Sequence, residues 1–195
     1  MNDLAPLKVA FYLNRLALTE NPNPFAVDPL AIFRQFFDSW DLAEGREVLQ
    51  EFCEAALSAS YNWKSGSPGN LLHFSERVEK LIEAGFLLLH ADNFLPQGAQ
   101  AGPPETISNE EPLTVQYPCS LNSEELKSPG KAIASFFEVA DLRRWKQQLH
   151  EWLEASLSNF SVLDNISSTD LIAFIFNMEK LIDACYYYLR LHGNN

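Results

Sequence analysis

No stretch of this chain approaches the roughly 20 uninterrupted apolar residues that a membrane-crossing helix needs, and no basic run exceeds the pair Arg143–Arg144. The first absence leaves no segment to span a bilayer. The second removes the cationic stripe that displaces counterions from a phosphate backbone, so neither nucleic acid nor membrane is an expected partner. Cysteine is scarce: Cys53, Cys119 and Cys185 are isolated, with no CxxC spacing. Such thiols read as small hydrophobes in a reducing compartment, not as a disulfide framework or a zinc site. The opening Met-Asn-Asp lacks a basic n-region and Arg15 interrupts the apolar run behind it, so no signal peptide is expected and the protein reads as cytoplasmic. Also missing are a Gly-x-Ser-x-Gly elbow, a phosphate-cradling glycine loop and a Cys/His nucleophile arrangement.

What is present is a globular composition, 47% hydrophobic and 12% aromatic over 195 residues, enough for one compact domain with a core. The net charge is −12, and residues 1–100 and 101–195 each carry 7 basic and 13 acidic side chains. That symmetry has a source. Residues 28–89 recur as 128–189 at an offset of 100 without a gap, and 20 of the 62 aligned positions are identical, where roughly 4 would match by chance. A repeat of this length implies one helical unit copied, with the copies burying their apolar faces together.

The start signals recur as well. Asp28-Pro29 and Ser128-Pro129 each place an N-cap before a proline at the first helical position, opening short helices through about Asp38 and Glu138. Asp41 and Asp141 read as N-caps of long helices over 42–60 and 142–159, and Asn70 and Asp170 as caps of helices over 71–90 and 171–191. One side of the first long helix carries Leu42, Leu49, Phe52, Cys53, Ala56 and Ser60; its copy carries Leu142, Trp145, Leu149, Trp152, Leu153, Ser156 and Phe160. The third helices carry Leu71, Phe74, Val78, Leu81, Ile82 and Leu89, matched by Leu171, Phe174, Met178, Leu181, Ile182 and Leu189. The expected fold is all-α, an internally duplicated helical bundle of two αα-hairpin repeats with pseudo-two-fold symmetry and four long helices plus short ones.

The domain reading is an N-terminal segment 1–27 packing on the bundle, repeat 28–90, a Pro/Gly-rich linker 91–127 and repeat 128–191, in one compact domain. The segment "PLKVAFYLNRLAL" fits either a strand or a helix. "PLTVQY" at 112–117 resembles "PLKVAF" at 6–11, as if the copied unit began further upstream and the two could pair as short strands.

Chemistry-bearing residues are few. Glu51, Glu54 and Ser58 match Glu151, Glu154 and Ser158, but lie opposite the apolar stripe without the Glu-x-x-His of a di-iron bundle. Glu79-Lys80 and Glu179-Lys180 flank the third stripe. His73, His90, His150 and His192 are scattered, each absent from the other copy, so no metal or cofactor is expected. Arg144 and His150 resemble the Arg-x(4–6)-His motif of helical HEPN ribonucleases, which would imply RNA cleavage. The resemblance covers two residues, the counterparts Glu44 and Gln50 lack the chemistry, and the acidic charge opposes RNA.

With no inward-facing polar cluster apparent in both copies, a protein-binding or self-associating module is favoured over an enzyme or ligand-binding bundle. Candidate contacts lie where "AGFLLL" at 84–89 and "ACYYYL" at 184–189 are apolar on nearly every side: Leu87 and Tyr187, with Trp63 in the inter-helix loop. They would face a homodimer mate or another protein, unless residues 4–18 and those near 113–121 cover them.

Overall fold

Eight α-helices form among the residues described by the structure, a computed structural model: 12–59, 67–94, 119–164 and 166–193. They are α1 Asn14–Thr19, α2 Pro29–Ser39, α3 Leu42–Leu57, α4 Pro68–Phe94, α5 Ser123–Lys127, α6 Pro129–Val139, α7 Leu142–Ser156 and α8 Ser168–His192, with short 3-10 turns at Pro24–Ala26 and Val162–Asp164. No strand occurs among the described residues, and no helix there is long and apolar enough to cross a membrane. The all-α reading holds. The proposed pairing of 6–11 with 112–117 lies outside the described residues; from Asn14 the N-terminal segment is helix.

The helix starts follow from short-range chemistry. Asp28 accepts the Leu30 N–H at 2.9 Å ahead of Pro29. Asp41 accepts the Glu44 N–H at 2.8 Å while the Glu44 carboxylate takes the Asp41 N–H at 2.9 Å, a complete capping box. Asp141 makes the first of these bonds to Arg144, at 2.7 Å. Two expectations need correction. Asn70 and Asp170 do not cap: α4 begins at Pro68, and Ser167 caps α8 by accepting the Asp170 N–H at 3.2 Å. Ser128 precedes Pro129 but makes no side-chain cap bond; its N–H closes the end of α5.

Within each half the first and third helices pack along one another, α2 on α4 and α6 on α8. The middle helices behave otherwise. α3 and α7 lie against each other, and each approaches the other half's long helix more closely than its own: α7 against α4, α3 against α8. The expected αα-hairpin is therefore opened out. Phe52 meets Phe74 at 6.0 Å and Trp152 stacks on Phe174 at 4.4 Å, so ring-sized side chains stand between the helices of one half. The crossing is fastened by aromatic contacts too: Phe37 with Tyr186 at 5.2 Å, and Phe137 with Phe86 at 5.6 Å.

The core is continuous across both halves and includes Leu49, Phe52, Phe74, Leu81, Leu149, Trp152, Phe174 and Leu181. Its filling is exchanged between them at one place. In the first half Trp40 supplies an indole beside Phe36 (5.3 Å) and Phe74 (5.5 Å), and Gly45 leaves it room. In the second half position 140 is Ala, and Trp145 supplies the indole, stacked on Phe136 at 4.2 Å.

Candidate functional site

Two carboxylates with no exposure at all, Glu83 on α4 and Asp183 on α8, sit inside this crossing. A buried acid is tolerated only when paired and hydrogen-bonded, and both are. Glu83 accepts the backbone N–H of Arg15 at 3.1 Å and of Leu16 at 2.8 Å. It pairs with Lys146 of α7, whose ammonium also lies 3.0 Å from Glu79 and 2.8 Å from the Tyr12 carbonyl. Asp183 takes the Arg46 Nε–H at 2.8 Å, is bonded also by its Nη2, and accepts the Ser120 N–H at 2.7 Å. The Cys119 thiol reaches the same carboxylate at 3.5 Å.

Each acid is thus held by a cation from the opposite half and by a backbone N–H from the segment leading into its own half. A flanking pair repeats the scheme: Lys80 meets Glu20 and Lys180 meets Glu125, both at 2.5 Å. The sequence reading, which found no inward-facing polar cluster in both copies, is corrected here. The legible signal was an acid inside each apolar run, "LIEAG" and "LIDAC", matched by a base at 46 and at 146. What hid it is that the partner comes from another helix.

The electrostatics are those of a closed site. Burial pushes the Glu83 carboxyl above its ordinary range, against the pull of Lys146 and of the Leu16 and Arg15 N–H groups. Burial works against the Arg46 charge, but the Asp183 carboxylate more than restores it, so Arg46 is held cationic more firmly than usual. Burial also raises the Cys119, Cys53 and Cys185 thiols, so none of the three is an activated nucleophile. A general base needs a free lone pair within reach of a substrate proton; Glu83 already holds two backbone N–H donors and an ammonium, and Asp183 one backbone N–H, a thiol and a guanidinium, both with no exposure.

Other candidates stay apart. Glu54 accepts from Gln50 at 2.9 Å, Glu151 from Gln147 at 2.8 Å, and Glu154 meets His150 at 3.2 Å, all on helix faces toward solvent. Arg144 and His150, both exposed, project roughly 120° apart around α7 and do not converge. Among the described residues no group of three or more His, Cys, Asp or Glu could hold a metal.

Leu87 and Tyr187 are buried within the fold, each 4% exposed. Trp63 lies outside the described residues. The exposed large apolar side chains sit elsewhere: Leu18, Leu72 and Val139 stand singly on other helices, while Ile172 (66%) and Phe176 (51%) share one face of α8, with Phe160 and Leu163 exposed in the loop just before it. No protein-family model, curated protein or solved structure matches the chain.

Proposed function

We propose that this chain is an internally duplicated, pseudo-two-fold helical module that works by binding another protein and catalyses no reaction. The observation that carries this is a division of chemistry. The buried charges are consumed in holding the halves together, while large apolar side chains, Ile172 and Phe176 foremost, face solvent on a firmly packed helix. An uncovered patch on a rigid element marks an interaction surface.

The duplication is supported by the matched geometry. Helices begin at 29, 42 and 68 and again at 129, 142 and 168. Arg46–Asp183 and Lys146–Glu83 occupy the same two positions in crossed form. Arginine reaches one bond further than lysine and aspartate one bond less than glutamate, so both pairs span the same gap. The exchange of Trp40/Gly45 for Ala140/Trp145 is a second compensated change. The three unpaired thiols suit a reducing compartment such as the cytoplasm.

The test is isolation of the tagged full-length protein from its native cells under mild conditions. A stoichiometric complex with another protein is expected. Recovery as a bare monomer that turns over a substrate would replace this reading with an enzymatic one.

A further inference from the structure

We infer that the Ile172–Phe176 stripe of α8 is the docking site for a cationic amphipathic helix of a partner protein. The inference rests on the protein-binding reading above and adds the place and the chemistry of the partner.

Residues 172, 176, 179 and 183 fall on one line along α8. The line runs from exposed Ile172 and Phe176 through half-buried Glu179 to the fully buried Asp183. The same line on α4 reads Leu72, Glu76, Glu79, Glu83. There the chain closes its own stripe: Arg15 reaches from α1 to Glu76 at 3.3 Å and to Glu79 at 2.7 Å, one residue ahead of the Leu16 N–H that binds Glu83. On α8 both members of that contact differ. Cys119 stands one residue ahead of the Ser120 N–H that binds Asp183, where α4's station has Arg15, and Phe176 stands where α4 has Glu76. Beyond the exposed Leu72 the α4 stripe is charged and self-satisfied, whereas on α8 Ile172 and Phe176 are both apolar and exposed.

The charge around it selects the occupant. Glu179 continues the stripe directly below Phe176; its charge, like that of Glu54 on α3, adds to burial in raising the Cys53 thiol, and it reaches Arg46 as well. The chain as a whole carries −12. A helix with apolar anchors one turn apart and Lys or Arg beside them would bury Ile172 and Phe176 while meeting these carboxylates. A second copy would bring the same carboxylates and another −12 against them, which disfavours a symmetric dimer through this face.

The probe is a synthetic helical peptide of about 18 residues, with Leu at i, i+3, i+4 and i+7 and Lys at the other positions. A twin carries Glu in place of Lys. Both are titrated against the full-length protein by fluorescence anisotropy. The Lys peptide should bind saturably with one site, and lose affinity on going from about 50 to 300 mM salt; the Glu twin should not bind. Ile172→Ser with Phe176→Ser should weaken binding about tenfold or more at an unchanged melting temperature. Leu18→Ser, at an exposed residue on α1, should leave it intact. The inference falls if the Lys peptide does not bind, if the twin binds equally, or if the double variant binds as before. It also falls if Phe176→Ser abolishes a concentration-dependent dimer, since a second copy is then the occupant, or lowers the melt, since the chain's own residues then cover the stripe. A native complex that survives the double variant would leave the protein-binding reading standing without this site.

Discussion

Arg46 and Asp183, 137 residues apart in the chain, form a two-pronged ion pair, with Arg46 Nε 2.8 Å from Asp183 Oδ1. Lys146 and Glu83 repeat it in the opposite sense. The two middle helices are therefore each tied to the half they do not belong to, and the halves cannot part without exposing two buried carboxylates that have lost their cations.

Removing one member of such a pair leaves the other charge stranded. Asp183→Ala should cost about 3–5 kcal/mol in denaturant unfolding, because Arg46 and the Ser120 N–H lose their acceptor together. Arg46→Met with Asp183→Leu should cost less than the two singles combined, with a coupling of about 0.5–3 kcal/mol. Strict additivity would show that the pair does not hold the halves.

The acid limb of stability has a defined origin. Burial raises Glu20 and Glu125, but hydrogen bonds from Lys80 and Lys180 outweigh it, and both carboxyls titrate below their usual range. Their contribution is present above the unfolded value of about 4.3 and is lost as pH falls through the folded value. Glu83, shifted upward, acts in reverse: its contribution is present at low pH and is lost as pH rises through its folded value. Urea unfolding from about pH 3 to 7 should show a flatter acid limb in Lys80→Met with Lys180→Met, and a steeper one in Glu83→Gln.

Gly45 lies inside α3, and a Cβ there would sit 3.4 Å from the Phe36 ring, an ordinary contact. Gly45→Ala should stabilise the protein by about 0.5–1 kcal/mol through helix propensity alone. Gly45→Trp should destabilise it while Trp40 remains, and Trp40→Ala in the same chain should recover much of the loss. Thermal melts of the three variants decide whether the two halves have exchanged their indole positions.

Leu49 and Leu149, 1% and 3% exposed, are core residues of the crossed helices. Truncating either to Ala should cost about 2–5 kcal/mol. Leu87→Glu and Tyr187→Glu should destabilise far beyond the roughly 1 kcal/mol of an average substitution, because each puts a charge into a covered site. If either Glu variant melts like the wild type, that site is open in solution.

Local chemistry made much of this fold readable in the chain itself. Caps at Asp28, Asp41 and Asp141, prolines at 29 and 129, and stripes through Leu49, Leu149, Phe74 and Phe174 define helices within a few residues, because each signal involves neighbours in sequence. The match of 28–89 with 128–189 at an offset of 100 is a comparison of two stretches of sequence and needs no structure to read. What the tertiary structure alone decided is which helix covers which stripe. Periodicity marks a face as apolar but names no partner, so the expected hairpins gave way to a crossing set by aromatic volume at Phe52, Phe74, Trp152 and Phe174. Leu87 and Tyr187, in runs apolar on nearly every side, are buried within the fold, where a single stripe left open whether a partner or the chain itself covers them. Glu83 and Asp183 could enter the core only because Lys146 and Arg46 arrive from the other half. A buried charge is stable only with its counter-charge in place, and that counter-charge comes from a helix 63 or 137 residues distant, beyond the reach of any local pattern.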